Sequence, residues 1–134
     1  MDLVISPDGA RKAALAIAGE IRFGPAYYCL TLGNTRFVGR IFGSGAVWSG
    51  DSRFLAVQEW HSVDEAEGPI TSLALFDFLD GRECKVETAR AFVVPQHFAE
   101  WVLHYTIEQW DTGQRVAVHQ SADVRLLSAW ANFT

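Results

Sequence analysis

Histidine and carboxylate side chains are the groups in this sequence that could bind a metal ion or transfer protons. His97, Glu100 and His104 lie within one short segment, and a zinc site needs three or four such ligands at fixed geometry. On one continuous strand, however, His97 and His104 would point to opposite faces. The other two histidines, His61 and His119, add no further cluster. We therefore expect no metal site and no bound cofactor.

Nucleophilic catalysis has equally little support. The serines in Gly43-Ser44-Gly45 and Ser49-Gly50-Asp51 lack the strand-to-helix context of a Gly-x-Ser-x-Gly elbow. Neither cysteine has a histidine at an informative position, and there is no glycine-rich nucleotide-binding motif. A carboxylate pair for glycoside chemistry is a spatial property that the sequence leaves open, with Glu59 and Glu108 as candidates. We predict that the protein is not an enzyme.

Five tryptophans are more informative than the polar residues. Trp48 and Trp101 lie at strand-start or inward positions, which predicts that both belong to the core. Trp60 and Trp110 end strands just before polar loops. Two interpretations stay open for this second pair. They are partly exposed and contact a partner, since tryptophan is enriched at interface hot spots, or they cap the core.

The longest polar insertion, residues 61–68, directly follows Trp60 and contains three carboxylates. One interpretation is a solvated acidic turn. The other is an anionic projection that fits a basic cleft on a partner, where complementary charge speeds association and fixes register. The candidate partner-binding residues are Glu59, Trp60, His61, Asp64, Glu65, Glu67 and Trp110.

Composition limits the class of protein and its partners. The chain has 134 residues, 49% of them hydrophobic, and a net charge of −5, which suits one domain with a real core. No apolar run approaches the roughly 18 residues that span a bilayer, and residues 13–18 are interpreted as a strand rather than an export signal. The basic residues are scattered, so we expect neither nucleic acid nor a membrane as partner. Two cysteines without metal spacing fit buried thiols in a reducing cytoplasm.

The strands that must position these residues are predicted by an internal repeat. Asp8 and Asp51 are 43 residues apart in similar turns, and each turn precedes an apolar run. A period of about 40–45 residues matches one four-stranded propeller blade. We predict repeats at about 4–46 and 47–91. A degenerate third repeat and a closing tail together cover about 92–134. We expect the first turn motif of this repeat near residues 94–97, at the position that residues 48–51 have in the second repeat.

Turn residues and short β-branched or aromatic segments predict an all-β chain. The near-continuous apolar run at 72–76 indicates a strand covered on both faces. Residues 97–107 also fit helical spacing, but alternation from 101 to 108 favours a strand. The tail 124–134 is either a closing strand or a short helix.

The turn motifs carry a resemblance. The segments Ser6-Pro7-Asp8-Gly9 and Trp48-Ser49-Gly50-Asp51-Ser52-Arg53-Phe54-Leu55-Ala56-Val57 resemble the repeat of TolB/WD40-like β-propeller proteins, and Asp77-Phe78-Leu79-Asp80-Gly81-Arg82 looks like the end of a blade strand and its turn. The resemblance implies structural roles for these residues and no active site. Because three blades do not close a propeller, we expect an open twisted stack or a sandwich, an incomplete propeller whose sheet edges invite homo-oligomers.

The general character of the chain also looks like small bacterial cytosolic proteins encoded beside secreted polymorphic toxins. This resemblance implies an immunity protein, a non-enzymatic module that binds and blocks a cognate toxin through the toxin's basic surface or cleft. The alternative is a self-associating scaffold or sensor module that joins a larger propeller-like assembly.

Overall fold

The short apolar segments between turns are β-strands in the computed structural model, which describes residues 2–20, 25–64, 66–111 and 113–133. The strands are β1 (Asp2–Ile5), β2 (Lys12–Glu20), β3 (Ala26–Leu32), β4 (Thr35–Arg36), β5 (Ile41–Phe42), β6 (Val47–Trp48), β7 (Phe54–Ser62), β8 (Ile70–Asp77), β9 (Arg82–Ala89), β10 (Phe92–Ala99), β11 (Val102–Asp111), β12 (Gln114–Asp123) and β13 (Ala131–Asn132). One 3₁₀ turn spans Val124–Leu126. The described residues contain no α-helix, so the all-β prediction is confirmed.

Within the described ranges, all strand pairs are antiparallel, and they form two open sheets. The larger sheet has the order β1-β2-β3-β5-β7-β8-β9-β13, with β4 paired to β3 and β6 paired to β7. The smaller sheet has the order β10-β11-β12. Because β5 pairs with both β3 and β7, the first two predicted repeats share one continuous sheet rather than forming two separate sheets.

The hydrophobic core is divided between the two faces of the β7–β8 pair. Leu55 and Val57 point to one face, where they pack with residues of β2, β3 and β5. Phe54 and Ala56 point to the other face and pack with residues of β10 and β11. Since alternate residues of a strand face opposite sides, coverage on both sides buries every residue from Phe54 to Trp60. The prediction that the 72–76 strand is covered on both faces is confirmed.

The turns at the start of the first two predicted repeats have the same hydrogen bonds. The Asp8 carboxylate accepts the hydroxyl of Ser6 at 2.6 Å and the backbone N–H of Ala10 at 2.9 Å. In the second turn the Asp51 carboxylate accepts the hydroxyl of Ser49 at 2.6 Å and the N–H of Arg53 at 3.1 Å. These aspartates therefore fix turns, as the sequence predicts from Asp bonding its own downstream backbone.

Positive φ follows each turn aspartate. Gly9 has a φ of 74° and Ser52 a φ of 64°. A serine adopts this left-handed conformation at a cost that glycine avoids. Buried Ser52 is held there by its own N–H, which donates to the Ser49 carbonyl, and by its hydroxyl, which accepts the N–H of Asp8. The two turns thus contact each other.

The C-terminal third differs from the sequence expectation in three respects. Residues 94–97 lie inside β10 rather than in a turn equivalent to 48–51. Residues 97–107 form strands, but a turn at 100–101 divides them between β10 and β11. Trp101 lies in that turn and is 37% exposed, so its assignment to the core is wrong. The tail contains both the 3₁₀ turn and a short closing strand, β13, which pairs with β9.

Two further observations concern membrane-spanning helices and the cysteines. In the part of the chain that the structure describes, no helix is long and apolar enough to span a membrane. Both cysteines are free thiols. Cys84 is buried, and burial raises the pKa of its thiol to about 11, whereas Cys29 is only half-buried rather than fully buried as predicted.

Candidate functional site

Glu59 is a buried structural ion-pair partner rather than a contact residue. Its side chain is 6% exposed, and its two carboxylate oxygens accept N–H groups of Arg40 at 2.8 and 2.9 Å. Arg40 also donates to Glu83 at 2.9 Å and lies over the rings of Phe37 and Phe42. The charge of Glu59 is therefore neutralised inside the protein, and this burial contradicts the prediction that Glu59 is a partner-binding residue.

Arg40 holds this cluster together as a charged group. Burial acts to lower its pKa, but hydrogen bonds and charge from Glu59 and Glu83 outweigh burial and raise the pKa above its ordinary value. The guanidinium lies between the carboxylates of Glu59 and Glu83, and its planar shape suits bidentate pairing. The sequence gives little indication of this cluster, because Arg40 is 19 residues from Glu59 and 43 from Glu83.

Trp60 caps the core, which is the second of the two interpretations left open above. It is 5% exposed, and its ring packs edge-to-face on Phe92 with centroids 5.5 Å apart. Its indole N–H donates to the Gln58 side chain at 3.0 Å, and Gln58 donates in turn to the Val93 carbonyl at 3.0 Å. Gly43 lies so close to Gln58 that any side chain there would collide with it. Trp60 thus joins the two sheets.

The polar segment at residues 61–68, called here the acidic loop, extends from this fixed base. Asp64 and Glu67 are exposed, as is His61. The Asp64 carboxylate accepts the N–H of Ala66 at 2.9 Å, and its backbone carbonyl accepts the N–H of Glu67 at 3.2 Å. These bonds define a local turn. Glu65 and the side chain of Trp110 lie outside the described residues.

Two neighbouring side chains complete the described surface of the acidic loop. Val63 is 43% exposed and adds an apolar side chain to this surface, which the sequence analysis missed. The only signal for it was a β-branched residue inside a polar insertion. His61 bonds the Ser72 hydroxyl through Nε2 at 2.7 Å. Burial lowers the pKa of His61. The negative charge of Glu59 acts to raise this pKa, whereas the positive charges of Lys85 and Arg40 act to lower it.

Three histidines lie together on the three-stranded sheet, which the sequence analysis also missed. His97 and His104 pair directly across β10 and β11, with parallel rings 4.6 Å apart. His104 Nδ1 is 3.2 Å from His119 Nε2. The prediction that His97 and His104 face opposite sides is wrong, because the turn at 100–101 places them on two strands. Within the described residues, no group of three or more His, Cys, Asp or Glu is arranged to hold a metal ion.

A second buried carboxylate, Asp77, is also structural. It is fully buried at the end of β8 and accepts N–H groups of Arg53 at 2.9 Å and Arg82 at 3.1 Å. Burial acts to raise its pKa, but hydrogen bonds from both arginines and from the Leu79 amide outweigh burial and lower the pKa. Asp77 therefore stays ionised and fixes the turn into β9.

Two depressions of the described surface differ in the charged groups that line them. A groove of about 620 Å³ lies between β1, β2 and the turn after β3. It is lined by apolar residues, by Arg11 and Lys12, and by the uncharged polar residues Thr31, Asn34 and Thr35, and its described lining contains no carboxylate, histidine or cysteine. Glu108 lines a smaller depression, of about 300 Å³, beside Trp60, but Arg115 pairs with its carboxylate at 2.6 Å. Glu59 and Glu108 are thus each engaged by an arginine.

These features define a two-sheet antiparallel β-protein with an exposed acidic loop on a rigid base. No family model, curated protein or solved structure matches the chain.

Proposed function

We propose that this chain is a non-enzymatic protein-binding module that docks its acidic loop into a basic surface of a partner. The observation that carries the proposal is the combination of exposed Asp64 and Glu67 with an exposed Val63 on one turn. An apolar contact beside charges that steer association is a common composition for a binding patch. The net charge of −5 adds long-range attraction toward a basic partner.

The base of the acidic loop supports this role because it is fixed before binding. On one side, Trp60 is bonded through Gln58 to β10. On the other side, the hydroxyl of buried Thr71 donates to the Ala91 carbonyl at 2.6 Å and accepts the Val93 N–H at 2.8 Å. A loop held at both ends loses less conformational freedom on binding, which favours affinity. Trp60 thus acts as a positioning residue in this proposal.

The concrete form of the proposal is an immunity protein that blocks a cognate bacterial toxin in the cytoplasm. Its supports are the acidic loop, whose charge suits the basic cleft of an enzyme that acts on nucleic acid or nucleotides, and the two free cysteines, which fit a reducing compartment. We also propose that the three successive sheet segments β1–β5, β6–β9 and β10–β12 derive from blade-like repeats. The matching turns at Asp8 and Asp51 support that origin.

The test measures binding to the product of the gene adjacent to this chain's own. Asp64→Lys/Glu67→Lys should slow association by about tenfold or more at low salt, with a smaller effect at high salt. Val63→Ala should mainly speed dissociation. The matched control is Asp2→Lys/Glu20→Lys, which makes the same change in net charge at exposed positions of β1 and β2.

Two results would overturn the proposal. One is equal slowing by the loop variant and the control, which would show that only net charge matters. The other is failure of the wild-type chain to bind or neutralise the neighbouring product.

A further inference from the structure

The sheet edges of this protein are unequally protected against pairing with another chain. Within the described residues, the larger sheet ends in β1, of four residues, and β13, of two residues. At one edge of the smaller sheet, β10 carries Pro95 and a register shift between Pro95 and His97. Short strands, proline and bulges are the devices that block edge pairing. The edge strand β12 has none of these devices.

The strand β12 is both long and accessible. It has ten residues, pairs with β11 along its whole length without a register shift, and is exposed at every residue from Gln114 to His119. Val116 and Val118 point to the same face and are 45% and 49% exposed. The one charged side chain of this exposed stretch, Arg115, is held by Glu108 of β11 at 2.6 Å. An exposed strand edge with apolar side chains favours pairing with another strand.

The residue order of β12 identifies a second copy of the same strand as the partner. The segment reads Gln114-Arg115-Val116-Ala117-Val118-His119-Gln120. It is nearly palindromic about Ala117, because residues at equal distances on the two sides of Ala117 are chemically similar. Antiparallel pairing centred on Ala117 places each Val116 opposite the second copy's Val118, and each Gln114 opposite its Gln120. A centre at Val116 or Val118 would instead place a valine opposite a glutamine. Cross-strand apolar pairs stabilise a sheet, so the Ala117-centred register is preferred.

We propose that two copies of this chain associate through β12, with the two-fold axis at Ala117, to form a continuous six-stranded antiparallel sheet. The dimer contains four adjacent valines on one face. On the other face, Arg115 lies opposite the second copy's His119. This interface lies on the smaller sheet, whereas the acidic loop joins β7 and β8 in the larger sheet, so each surface can be tested independently of the other.

The first experiment measures molar mass against protein concentration by sedimentation equilibrium. The wild-type chain should show a monomer–dimer equilibrium, and Val118→Lys should weaken the dimer by more than about tenfold, because it places two like charges in the apolar strip. The matched control, Val38→Lys, makes the same change at a valine that is 84% exposed in a turn and should leave the equilibrium unchanged. Circular dichroism and thermal unfolding verify that both variants fold.

The second experiment tests the register by disulfide trapping in a Cys29→Ser background. Ala117→Cys should form a covalent dimer on mild oxidation, since opposite residues of an antiparallel pair have Cβ atoms about 4.5–5.5 Å apart. Ser121→Cys, on the same strand but off the axis, should not. Several results overturn the proposal: a wild-type monomer at all concentrations, a dimer that persists in Val118→Lys, or trapping at 121 without trapping at 117. Charge reversal of the acidic loop should leave the dimer intact.

Discussion

The Arg40 cluster shows how one buried residue decides the role of its neighbours. Arg40 pairs with Glu59 and Glu83 and rests on the faces of Phe37, Phe42 and Phe76. A cation over aromatic rings gains energy in addition to its ion pairs. Glu59 is 6% exposed in its side chain and Glu83 is 19%. The two carboxylates therefore differ in how much solvent screens them.

We predict that Glu59→Gln destabilises the fold by about 2–4 kcal/mol, because removing one member of a buried pair leaves the other charge poorly compensated. Glu83→Gln should cost clearly less, since its carboxylate is more exposed. Urea denaturation monitored by tryptophan fluorescence measures both. Glu67→Gln, at an exposed loop position, serves as the control and should change stability by less than about 0.5 kcal/mol. Equal losses for Glu59→Gln and Glu83→Gln would contradict this explanation.

At the scale of elements, Trp48 connects the beginnings of the first two predicted repeats. Its indole N–H donates to the carbonyl of Val4 in β1 at 3.0 Å, and its ring packs against Phe78 with centroids 5.2 Å apart. A residue of the short strand β6 thus fixes β1 relative to the turn after β8. This agrees with the prediction that Trp48 belongs to the core, although the side chain is only partly buried.

Two substitutions of Trp48 distinguish the contribution of ring packing from that of the hydrogen bond to Val4. Trp48→Ala should destabilise the protein by about 3–5 kcal/mol, because it removes a large ring from between packed strands. Trp48→Phe keeps most of the ring area and should cost about 1 kcal/mol, the typical value of one hydrogen bond. Thermal and chemical denaturation provide both values. If Trp48→Phe were as harmful as Trp48→Ala, the bond to Val4 rather than ring packing would dominate.

At the scale of the whole molecule, buried Asp77 links stability to pH. Its pKa is below 3.8 in the folded protein, so between that lower value and 3.8 the unfolded chain binds more protons than the folded one. The contribution of the Asp77 carboxylate to the free energy of unfolding is therefore fully present above about pH 3.8. It is lost as the pH falls through the pKa that Asp77 has in the folded protein.

Asp77→Asn should be less stable than the wild type at pH 7, because Arg53 and Arg82 lose their shared carboxylate. The difference in unfolding free energy between the two proteins should shrink as the pH falls below 3.8. Denaturation at a series of pH values measures this difference, and the contributions of other carboxylates cancel in it. A difference that stays constant down to acid unfolding would show that the pKa of Asp77 is not lowered in the folded protein.

Periodicity and turn chemistry predicted much of the fold without tertiary information. The near-continuous apolar run predicted the strand at 72–76, alternation predicted strand structure from 101 to 108, and the motifs at Asp8 and Asp51 predicted turns. These signals are local, since side-chain alternation and positive φ depend on a few neighbouring residues. The continuous apolar run at 72–76 even showed that two layers cover β8.

Tertiary structure alone decided which candidate residues remain on the surface. Alternation shows that Glu59 and Trp60 face opposite sides of β7, but it does not show that both sides are covered there. Arg40 neutralises Glu59, and β10 covers Trp60. Both contacts join segments that are distant in sequence. The approach of the three histidines across β10, β11 and β12 is likewise a product of strand pairing. Such contacts depend on register between separate strands, which the local pattern of any one strand does not contain.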